Sequence, residues 1–331
     1  MKHFKEFLSY ILCTCLTLFF CAGMTGCNTA EADAVIIYSN ADDEAVESMK
    51  KTLDANGYAG KYIFQTFGTS ELGGKLLAEG TDIEADVVTM SSYYIESAQS
   101  KRNMFLNLTF DVSTINTYPD YYSPLLANQG ALILNTEVLA EASLDVPTSI
   151  ADLASPQYAG YISVVDIQGS STAWLMIQAL VNEYGEDGAK QVLTGIYKNA
   201  GAHLEQSGSG PIKKIRAGEV AIGFGLRHQA VVDKSAGLPV DFVDPTEGNF
   251  ILTESLAVVN KGEKTNPLAM EMVQCILEKG RIELMSYYPV PLYKGELADA
   301  SAISANSKVF PEALTVELLE RHRALSESCK Q

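Results

Sequence analysis

The sequence predicts an α/β protein built as two lobes, and two observations support this prediction. Short apolar strands alternate with amphipathic helices along most of the chain, from residues 34–39 to residues 267–288. A βαβαβ order with short connections favours a mainly parallel sheet that carries helices on its faces. In addition, about 300 residues follow the first apolar segment, which is enough for two domains with separate hydrophobic cores.

The first part of the chain shows the alternation most clearly. After the apolar strand at 34–39, residues 42–58 have the period of a helix, with Ala45, Met49 and Leu53 on one face. The next segments are predicted to be strand, helix and strand, in the order 61–68, 69–80 and 85–91. These five elements predict one parallel sheet.

The same alternation returns after an irregular middle segment. Strands are predicted at 130–139, 160–167, 239–245 and 254–262, helices at 171–185, 186–200 and 267–288, and a helix, turn and strand at 211–226. We expect lobe 1 to comprise 34–128 plus 246–331 and lobe 2 to comprise 129–245, with the chain crossing near Asn128 and Val243.

The N-terminus predicts export. Lys2 and Lys5 precede an apolar run that is shorter than the roughly 20 residues of a membrane-spanning helix, so residues 1–26 have the form of a cleaved signal peptide. The stretch "MTGC", which ends at Cys27, resembles the lipobox of bacterial lipoproteins, in which the cysteine is lipidated. Residues 27–33 would then be a tether, and the protein would be extracytoplasmic and anchored to the membrane. The alternative is an ordinary signal peptide with cleavage near Gly26 or Ala30.

Charge and cysteine content exclude several classes of protein. The formal net charge is −17, and the leader itself carries one net positive charge, so the remainder is more acidic still. Nucleic acids and anionic lipid surfaces require a basic face, so neither is an expected partner. Only Cys275 and Cys329 follow Cys27, and their pairing is left open. The chain contains no CxxC or His-rich spacing, so we predict neither a metal site nor a cofactor.

Small hydroxyl residues follow several predicted strands, where helices begin. In open α/β sheets ligands bind beyond the carboxyl ends of the strands, and helix N-termini there favour anions. Ser and Thr are also common helix caps, which is the alternative reading of each position taken alone. The candidate ligand-binding residues at these junctions are Ser39, Asn40, Thr69, Ser70, Ser170, Ser171, Thr172 and Ser207.

A further junction ends in Arg227 and His228. The guanidinium of arginine forms a planar fork suited to phosphate or phosphonate oxygens, and histidine can donate to the same group. The alternative is a solvated surface pair. A dinucleotide-binding reading fails, because the glycines of "GFGL" fall within the strand and no GxGxxG follows.

Taken in order, these landmarks resemble the extracytoplasmic solute-binding proteins of ABC importers. The closest branch covers binders of ferric ion, thiamine, phosphonate and sugar phosphate. The resemblance extends over almost the whole chain after the tether, and it implies two lobes that close about a hinge around a ligand in the cleft, a monomer, and permease and ATPase partners. The segments that carry it are "GTSELGGKLLAEG", "ADVVTMS", "YYSPLLANQGALILNTEVL", "PTSIADLASPQYAGYISVVD", "GSSTAWLMIQALV", "QSGSGPIKKIRAGEVAIGFG" and "DPTEGNFILTESLAVVNKG".

One departure from this branch bears on the ligand. Ferric-ion binders carry adjacent tyrosines where this chain has Arg227 and His228, so the resemblance favours a small anionic solute over iron. Glu247 matches a position that can face the cleft, where a carboxylate would accept hydrogen bonds from an amine or a sugar hydroxyl. This combination fits 2-aminoethylphosphonate or a sugar phosphate, with ferric ion and thiamine-type ligands as alternatives.

Two other classes of function compete with transport. A hydrolase requires a nucleophile beside a base, and the chain has no GxSxG motif and no evident partner for His203 or His228. We therefore predict that the protein is not an enzyme. A cell-surface sensor or adhesin on the same scaffold is the remaining alternative, since a fold does not fix a function.

Overall fold

A mixed ten-stranded sheet organises the part of the chain that the computed structural model describes, residues 34–298 and 303–330. The predicted lipidation site, Cys27, lies outside the described residues. The strands are β1 (Val35–Ser39), β2 (Tyr62–Thr66), β3 (Val87–Ser91), β4 (Ser123–Asn135), β5 (Ile162–Val165), β6 (Leu204–Glu205), β7 (Ile222–Leu226), β8 (Val240–Val243), β9 (Asn249–Val258) and β10 (Ser307–Lys308).

Helices cover the faces of this sheet, which confirms the predicted α/β class. Most helices follow a strand directly, as the sequence predicts. They are α1 (Asp43–Leu53), α2 (Thr69–Glu79), α3 (Ser92–Arg102), α4 (Thr136–Ala142), α5 (Thr172–Ala200), α6 (Gly210–Arg216), α7 (Arg227–Ser235), α8 (Pro267–Cys275), α9 (Arg281–Tyr287) and α10 (Val316–Glu327). None of the helices in the described ranges has the length and apolar character needed to cross a bilayer.

The strand order is β2-β1-β3-β9-β4-β7-β5-β6, with β8 paired to β4 and β10 paired to β9. The strands β1, β2 and β3 are parallel, as the βαβαβ pattern predicts. The long strands β9 and β4 are antiparallel to their neighbours β3 and β7 and to each other. The sheet is therefore mixed, and its parallel parts lie at the two ends.

The strand β4 joins the two halves of the sheet. Its residues 123–129 pair with β9, and its residues 130–134 pair with β7. One half thus contains β1, β2, β3 and β9, and the other contains β5, β6, β7 and β8. The change of partner falls between Gln129 and Gly130, next to the crossing that we place near Asn128. The lobe boundaries themselves stay a prediction.

Two strand boundaries differ from the sequence-based expectation. The segment 130–139 is not strand throughout, because the side chain of Asn135 accepts hydrogen bonds from the backbone N–H groups of Glu137 and Val138 and so starts helix α4. The strand β9 begins at Asn249, five residues before the predicted start, because it pairs with both β10 and β4. A polar cap ends one strand early, and partners distant in sequence lengthen the other.

The helix α5 shows how local sequence and packing combine. The predicted helices 171–185 and 186–200 form one continuous element with a break at Gly185, whose positive φ of 68° suits glycine. Residues 172–180 of α5 are buried, and Trp174 among them donates a hydrogen bond to His322 of α10 at 2.7 Å. The N-terminus of α5 is consequently held in a fixed position at the edge of the sheet.

Candidate functional site

A cleft of about 340 Å³ lies beyond the carboxyl ends of the strands, and segments from both halves of the sheet line it. One wall comes from the segments after β1 and β2, and the facing wall comes from the starts of α5 and α6. The floor is formed by side chains of β4, β9 and α7. This is the edge at which α/β sheets bind their ligands.

Hydroxyl groups cover the wall formed by α5 and α6. Ser170 Oγ lies 3.4 Å from Thr172 Oγ1, and Ser207 Oγ lies 3.1 Å from Ser209 Oγ. Ser171 precedes α5, a helix of 29 residues, and within the described residues its side chain makes no capping hydrogen bond. The first backbone N–H groups of α5 are used locally, because that of Thr172 donates to Ser170 Oγ and those of Ala173 and Trp174 donate to the backbone oxygens of Ser170 and Ser171. The helix therefore offers the cleft the positive end of its dipole and the hydroxyls beside it.

Two glycines allow the hydroxyl-bearing segments to touch. A Cβ atom on Gly169 would lie 2.3 Å from the backbone oxygen of Gln206, and one on Gly208 would lie 2.3 Å from Thr172 Oγ1. Any larger residue at either position would force the two segments apart. The close approach of segments 169–172 and 206–209 thus depends on glycine.

The opposite wall is smaller and holds one amide and one hydroxyl. The side-chain nitrogen of Asn40 donates to Thr69 Oγ1 at 3.1 Å, and Phe67 forms an aromatic surface next to them. Gly68 brings this wall close to the other, since a Cβ atom there would lie 3.7 Å from the backbone oxygen of Gly169. The walls therefore approach each other at the N-termini of α2 and α5.

Two basic side chains of α6 line the cleft, and they differ in their partners. Arg216 is held by Asp233 through two hydrogen bonds of 2.7 and 2.9 Å. Lys213 is exposed, and no carboxylate in the described part of the chain lies within ion-pair distance of its ammonium group. Lys213 is accordingly the cation that a ligand in the cleft can reach.

The floor holds the buried carboxyl group of Glu254, which is 4% exposed. Its Oε1 accepts from the side-chain nitrogens of Asn40 at 3.3 Å and Asn128 at 3.4 Å. Its Oε2 is buried and has no hydrogen-bond partner within the described residues. Burial, and then the nearby charge of Asp42, raises the pKa of Glu254 to about 8.

Asp42 is the N-cap residue of helix α1 at the side of the cleft, yet its side chain makes no capping hydrogen bond to any residue in the described ranges. Asp43 and Glu44 line the cleft with it. Desolvation, followed by the repulsion of Glu44 and Asp43, raises the pKa of Asp42 to about 7, against the smaller opposing effect of Lys213. Two carboxyl groups at this end of the cleft, those of Asp42 and Glu254, are therefore costly to ionise.

Six of the candidate residues line this cleft: Asn40, Thr69, Ser170, Ser171, Thr172 and Ser207. The hydroxyl groups of two further candidates form hydrogen bonds with other residues of the protein instead. Ser39 is fully buried, with its Oγ 2.6 Å from Thr89 Oγ1, and Ser70 Oγ accepts from Arg323 at 2.6 Å.

The three charged candidates also lie away from the cleft lining. Arg227 is buried and forms two hydrogen bonds with Asp244 of 2.7 and 3.1 Å. Burial lowers the pKa of His228 to about 3, and its ring packs on Tyr288 with centroids 4.2 Å apart. Glu247 is fully buried and accepts from the backbone N–H groups of Ile150 and Ala151 and from the hydroxyl of Tyr184.

Several cleft residues escape the sequence-based search. Asp42 lies three residues after the end of the first strand, at the same junction as Asn40, so the junction rule that selects Asn40 would also have selected it. Lys213 lies one turn after the selected "SGSG" segment. Glu254, Asn128 and Gln229 carry no such signal, because they lie within strands and a helix whose neighbours are set by the tertiary fold. No group of three or more His, Cys, Asp or Glu side chains in the described ranges is placed to hold a metal ion.

Comparison with known proteins places the chain in a family. Residues 89–310 match the model of the family described as bacterial extracellular solute-binding protein, and the chain belongs to that family. An uncharacterized protein of Haemophilus influenzae is 26% identical over 280 residues, which cover 81% of this chain and 80% of that protein. A spermidine/putrescine-binding periplasmic protein of Escherichia coli is 24% identical over 286 residues, 78% of each chain. The resemblance to importer solute-binding proteins is thereby confirmed.

Solved structures of two-lobed periplasmic binding proteins share the fold of this chain. A periplasmic thiamin binding protein aligns with a TM-score of 0.74 at 15% identity and covers 90% of this chain and 96% of its own. Iron-bound HitA from Pseudomonas aeruginosa aligns with a TM-score of 0.71 at 19% identity, covering 90% and 99%. AfuA from Actinobacillus pleuropneumoniae with bound fructose-6-phosphate aligns with a TM-score of 0.66 at 20% identity, covering 90% and 94%. These likenesses concern the fold, and the family and its relatives are binding proteins.

Proposed function

We propose that this member of the bacterial extracellular solute-binding protein family captures a small phosphonate or phosphate ester in the cleft and delivers it to the permease of an ABC importer. The observation that carries the proposal is the convergence of hydroxyl groups, two helix N-termini and Lys213 on one cleft. Phosphonate and phosphate oxygens accept several hydrogen bonds at once, which hydroxyl and backbone N–H donors supply.

The hydroxyl groups and Lys213 have different roles in this proposal. Ser170, Thr172 and Ser207 lie on one wall and Thr69 on the other, so an anion between the walls accepts donors from both halves of the sheet. Lys213 supplies a full positive charge, whereas that of Arg216 is paired with Asp233. Arg227, which the sequence puts forward for this role, is held by Asp244 and is not needed for it.

Titration calorimetry on the purified full chain tests the proposal, with 2-aminoethylphosphonate and fructose 6-phosphate as ligands. The Lys213→Ala substitution should weaken binding roughly 10- to 100-fold, because a hydrogen bond to a charged group contributes about 1.5–3 kcal/mol. Lys214→Ala is the matched control, since the neighbouring Lys214 pairs with Glu219 and does not line the cleft. Wild-type affinity in Lys213→Ala, or no binding of either ligand to the wild type, would refute the proposed ligand class.

Capture by hinge closure follows from the same arrangement. The two walls belong to different halves of the sheet, which the strands β4 and β9 join. Closure about these strands, with lobe 1 from 34–128 plus 246–331 and lobe 2 from 129–245, would bring both sets of donors onto the ligand. Small-angle scattering should show a smaller radius of gyration with saturating ligand, and an unchanged radius would contradict closure.

Anchoring through Cys27 completes the proposed role. The lipobox-like "MTGC" and the polar residues after it support lipidation at this cysteine. Cys27→Ala expressed in the native host should move from the membrane fraction to the soluble fraction. Membrane association that persists in this variant would count against the anchor.

A further inference from the structure

The cleft contains a second group of polar atoms whose chemistry is opposite to that of the hydroxyl wall. Four side-chain oxygens on cleft-lining residues are buried and have no hydrogen-bond partner within the described part of the protein. They are Asn40 Oδ1, Asn128 Oδ1, Gln229 Oε1 and Glu254 Oε2. The three amide oxygens can only accept, and Glu254 Oε2 accepts when the carboxyl group is ionised. Buried acceptors without donors are costly.

The orientation of the two asparagine amides is fixed by Glu254. The nitrogens of Asn40 and Asn128 both donate to Glu254 Oε1, which leaves the oxygens of both amides as the unpaired atoms. Two members of this group are almost fully buried: Glu254 is 4% exposed and Gln229 is 3% exposed. The arrangement is therefore built by the fold and is not a solvated acidic surface.

We infer that these oxygens, together with Asp42, form a subsite for the ammonium group of the solute. An alkylammonium ion offers three N–H donors and a positive charge, which matches a set of unpaired acceptors that includes carboxylates. The inference rests on the proposed function, because it assigns the second end of the same ligand. The ligand class that fits both ends is a zwitterion with a phosphonate or phosphate group and a primary amine.

The distance between the two subsites is set by one amide group. The side-chain nitrogen of Asn40 donates both to Thr69 Oγ1 at 3.1 Å and to Glu254 Oε1 at 3.3 Å. The hydroxyl wall and the acceptor group therefore adjoin across a single nitrogen atom. A spacer of a few carbon atoms between amine and phosphorus suits this separation, and the cleft of about 340 Å³ suits a ligand of that size.

Several charged and titratable groups face Glu254 and Asp42 from the surrounding elements. Asp43 and Glu44 belong to α1, and Lys213 belongs to α6. The hydroxyl groups of Tyr93 in α3 and of Tyr288, just after α9, interact electrostatically with Glu254. In the free protein, burial raises the pKa of both carboxyl groups into the neutral range. A bound ammonium ion favours their ionised forms, so binding of an amine should strengthen as pH rises from about 6 to about 9.

Three probes separate the two ends of the ligand in titration calorimetry on the full chain. They are 2-aminoethylphosphonate, ethylphosphonate, which lacks the amine, and putrescine, which lacks the phosphonate. Wild-type protein should bind 2-aminoethylphosphonate at least roughly 30-fold more tightly than ethylphosphonate. In Glu254→Gln this preference should fall to within about 3-fold, and Asp42→Asn should reduce it in the same direction.

Controls and contrary outcomes keep this test independent of the proposed function. Glu263→Gln, at an exposed site outside the cleft, should retain the full preference. Because the phosphonate of each ligand also titrates, the pH dependence is compared between wild type and Glu254→Gln for the same ligand. Equal binding of both phosphonates by the wild type, or an amine preference that survives in Glu254→Gln, would overturn the inference alone. Glu254-dependent binding of putrescine without binding of either phosphonate would uphold it and refute the proposed phosphonate function.

Discussion

Two buried glutamates seven residues apart, Glu247 and Glu254, have opposite environments. Both oxygens of Glu247 are used, by the backbone N–H groups of Ile150 and Ala151 and by the hydroxyl of Tyr184. Glu254 has one oxygen paired with two amides and one without a partner in the described residues. A buried carboxylate with its acceptor sites filled stabilises the protein, whereas one left unfilled in a cleft is available to a ligand.

The surroundings of each glutamate follow the same division. Near Glu247, Asp244 binds Arg227, and Asn249 donates to both Asp244 and the backbone oxygen of Gly130. This satisfied network ties β9 to β4 and to the start of α7. Around Glu254 the amides of Asn40 and Asn128 are only half used. The comparison thus predicts that mutations in the first region affect stability and that mutations in the second affect binding.

The largest effect is expected for Arg227→Ala. It removes a guanidinium that is 5% exposed, together with its two hydrogen bonds to Asp244, which is 25% exposed. Because each hydrogen bond to a charged group contributes about 1.5–3 kcal/mol, we expect the free energy of unfolding to fall by roughly 3–5 kcal/mol. Denaturant unfolding of the unliganded protein measures this loss. A variant that unfolds like wild type but has lost ligand affinity would break the comparison, because Arg227 would then belong to the binding region.

A smaller loss is expected for Glu247→Gln. The amide keeps one acceptor oxygen but turns an NH₂ group toward one of the backbone N–H donors of Ile150 and Ala151. Losing a hydrogen bond to a charged group should lower the free energy of unfolding by about 1.5–3 kcal/mol. Ligand affinity, measured by calorimetry below the melting temperature of the variant, should stay within about 3-fold of wild type.

The opposite sign is expected for Glu254→Gln in the unliganded protein. The pKa of Glu254 is raised from 4.5 in the unfolded chain to about 8, so the folded state binds a proton that the unfolded state releases between these values. Wild-type stability should therefore fall as pH rises from about 5 to about 8. The glutamine variant lacks this penalty and should be more stable at pH 8, by up to roughly 4 kcal/mol, with little difference near pH 4. Thermal melts of both proteins at pH 4, 6 and 8 test this, and a less stable variant at pH 8 would contradict the assigned environment of Glu254.

The parts of this account that sequence could predict are those that depend on local order. The alternation of strands and helices predicts the fold class, and the rule that ligands bind at strand ends finds Asn40, Thr69, Ser170, Ser171, Thr172 and Ser207. It could not separate these from Ser39 and Ser70, because their partners Thr89 and Arg323 lie 50 and 253 residues away.

Charged residues were harder to place for the same reason. Arg227 and Glu247 have the chemistry of ligand-binding groups, but contacts with Asp244 and with residues 150–151 use that chemistry inside the fold. Glu254 gives no local signal, since it lies in an apolar strand and becomes part of the cleft only because β9 pairs between β3 and β4. Composition points to an acidic protein, and only the pairing of strands shows which of its carboxyl groups lie in the cleft.

The most direct test of the central claim, that Glu254 and its neighbours receive an ammonium group, is the number of protons released when 2-aminoethylphosphonate binds at pH 7. Calorimetry in two buffers with different ionisation enthalpies gives this number once the ligand's own titration is subtracted. Because the pKa of Glu254 is about 8 and that of Asp42 about 7 in the free protein, wild type should release about one proton, and Glu254→Gln should release clearly fewer. The same proton count for both proteins, or uptake of protons by the wild type, would contradict the account.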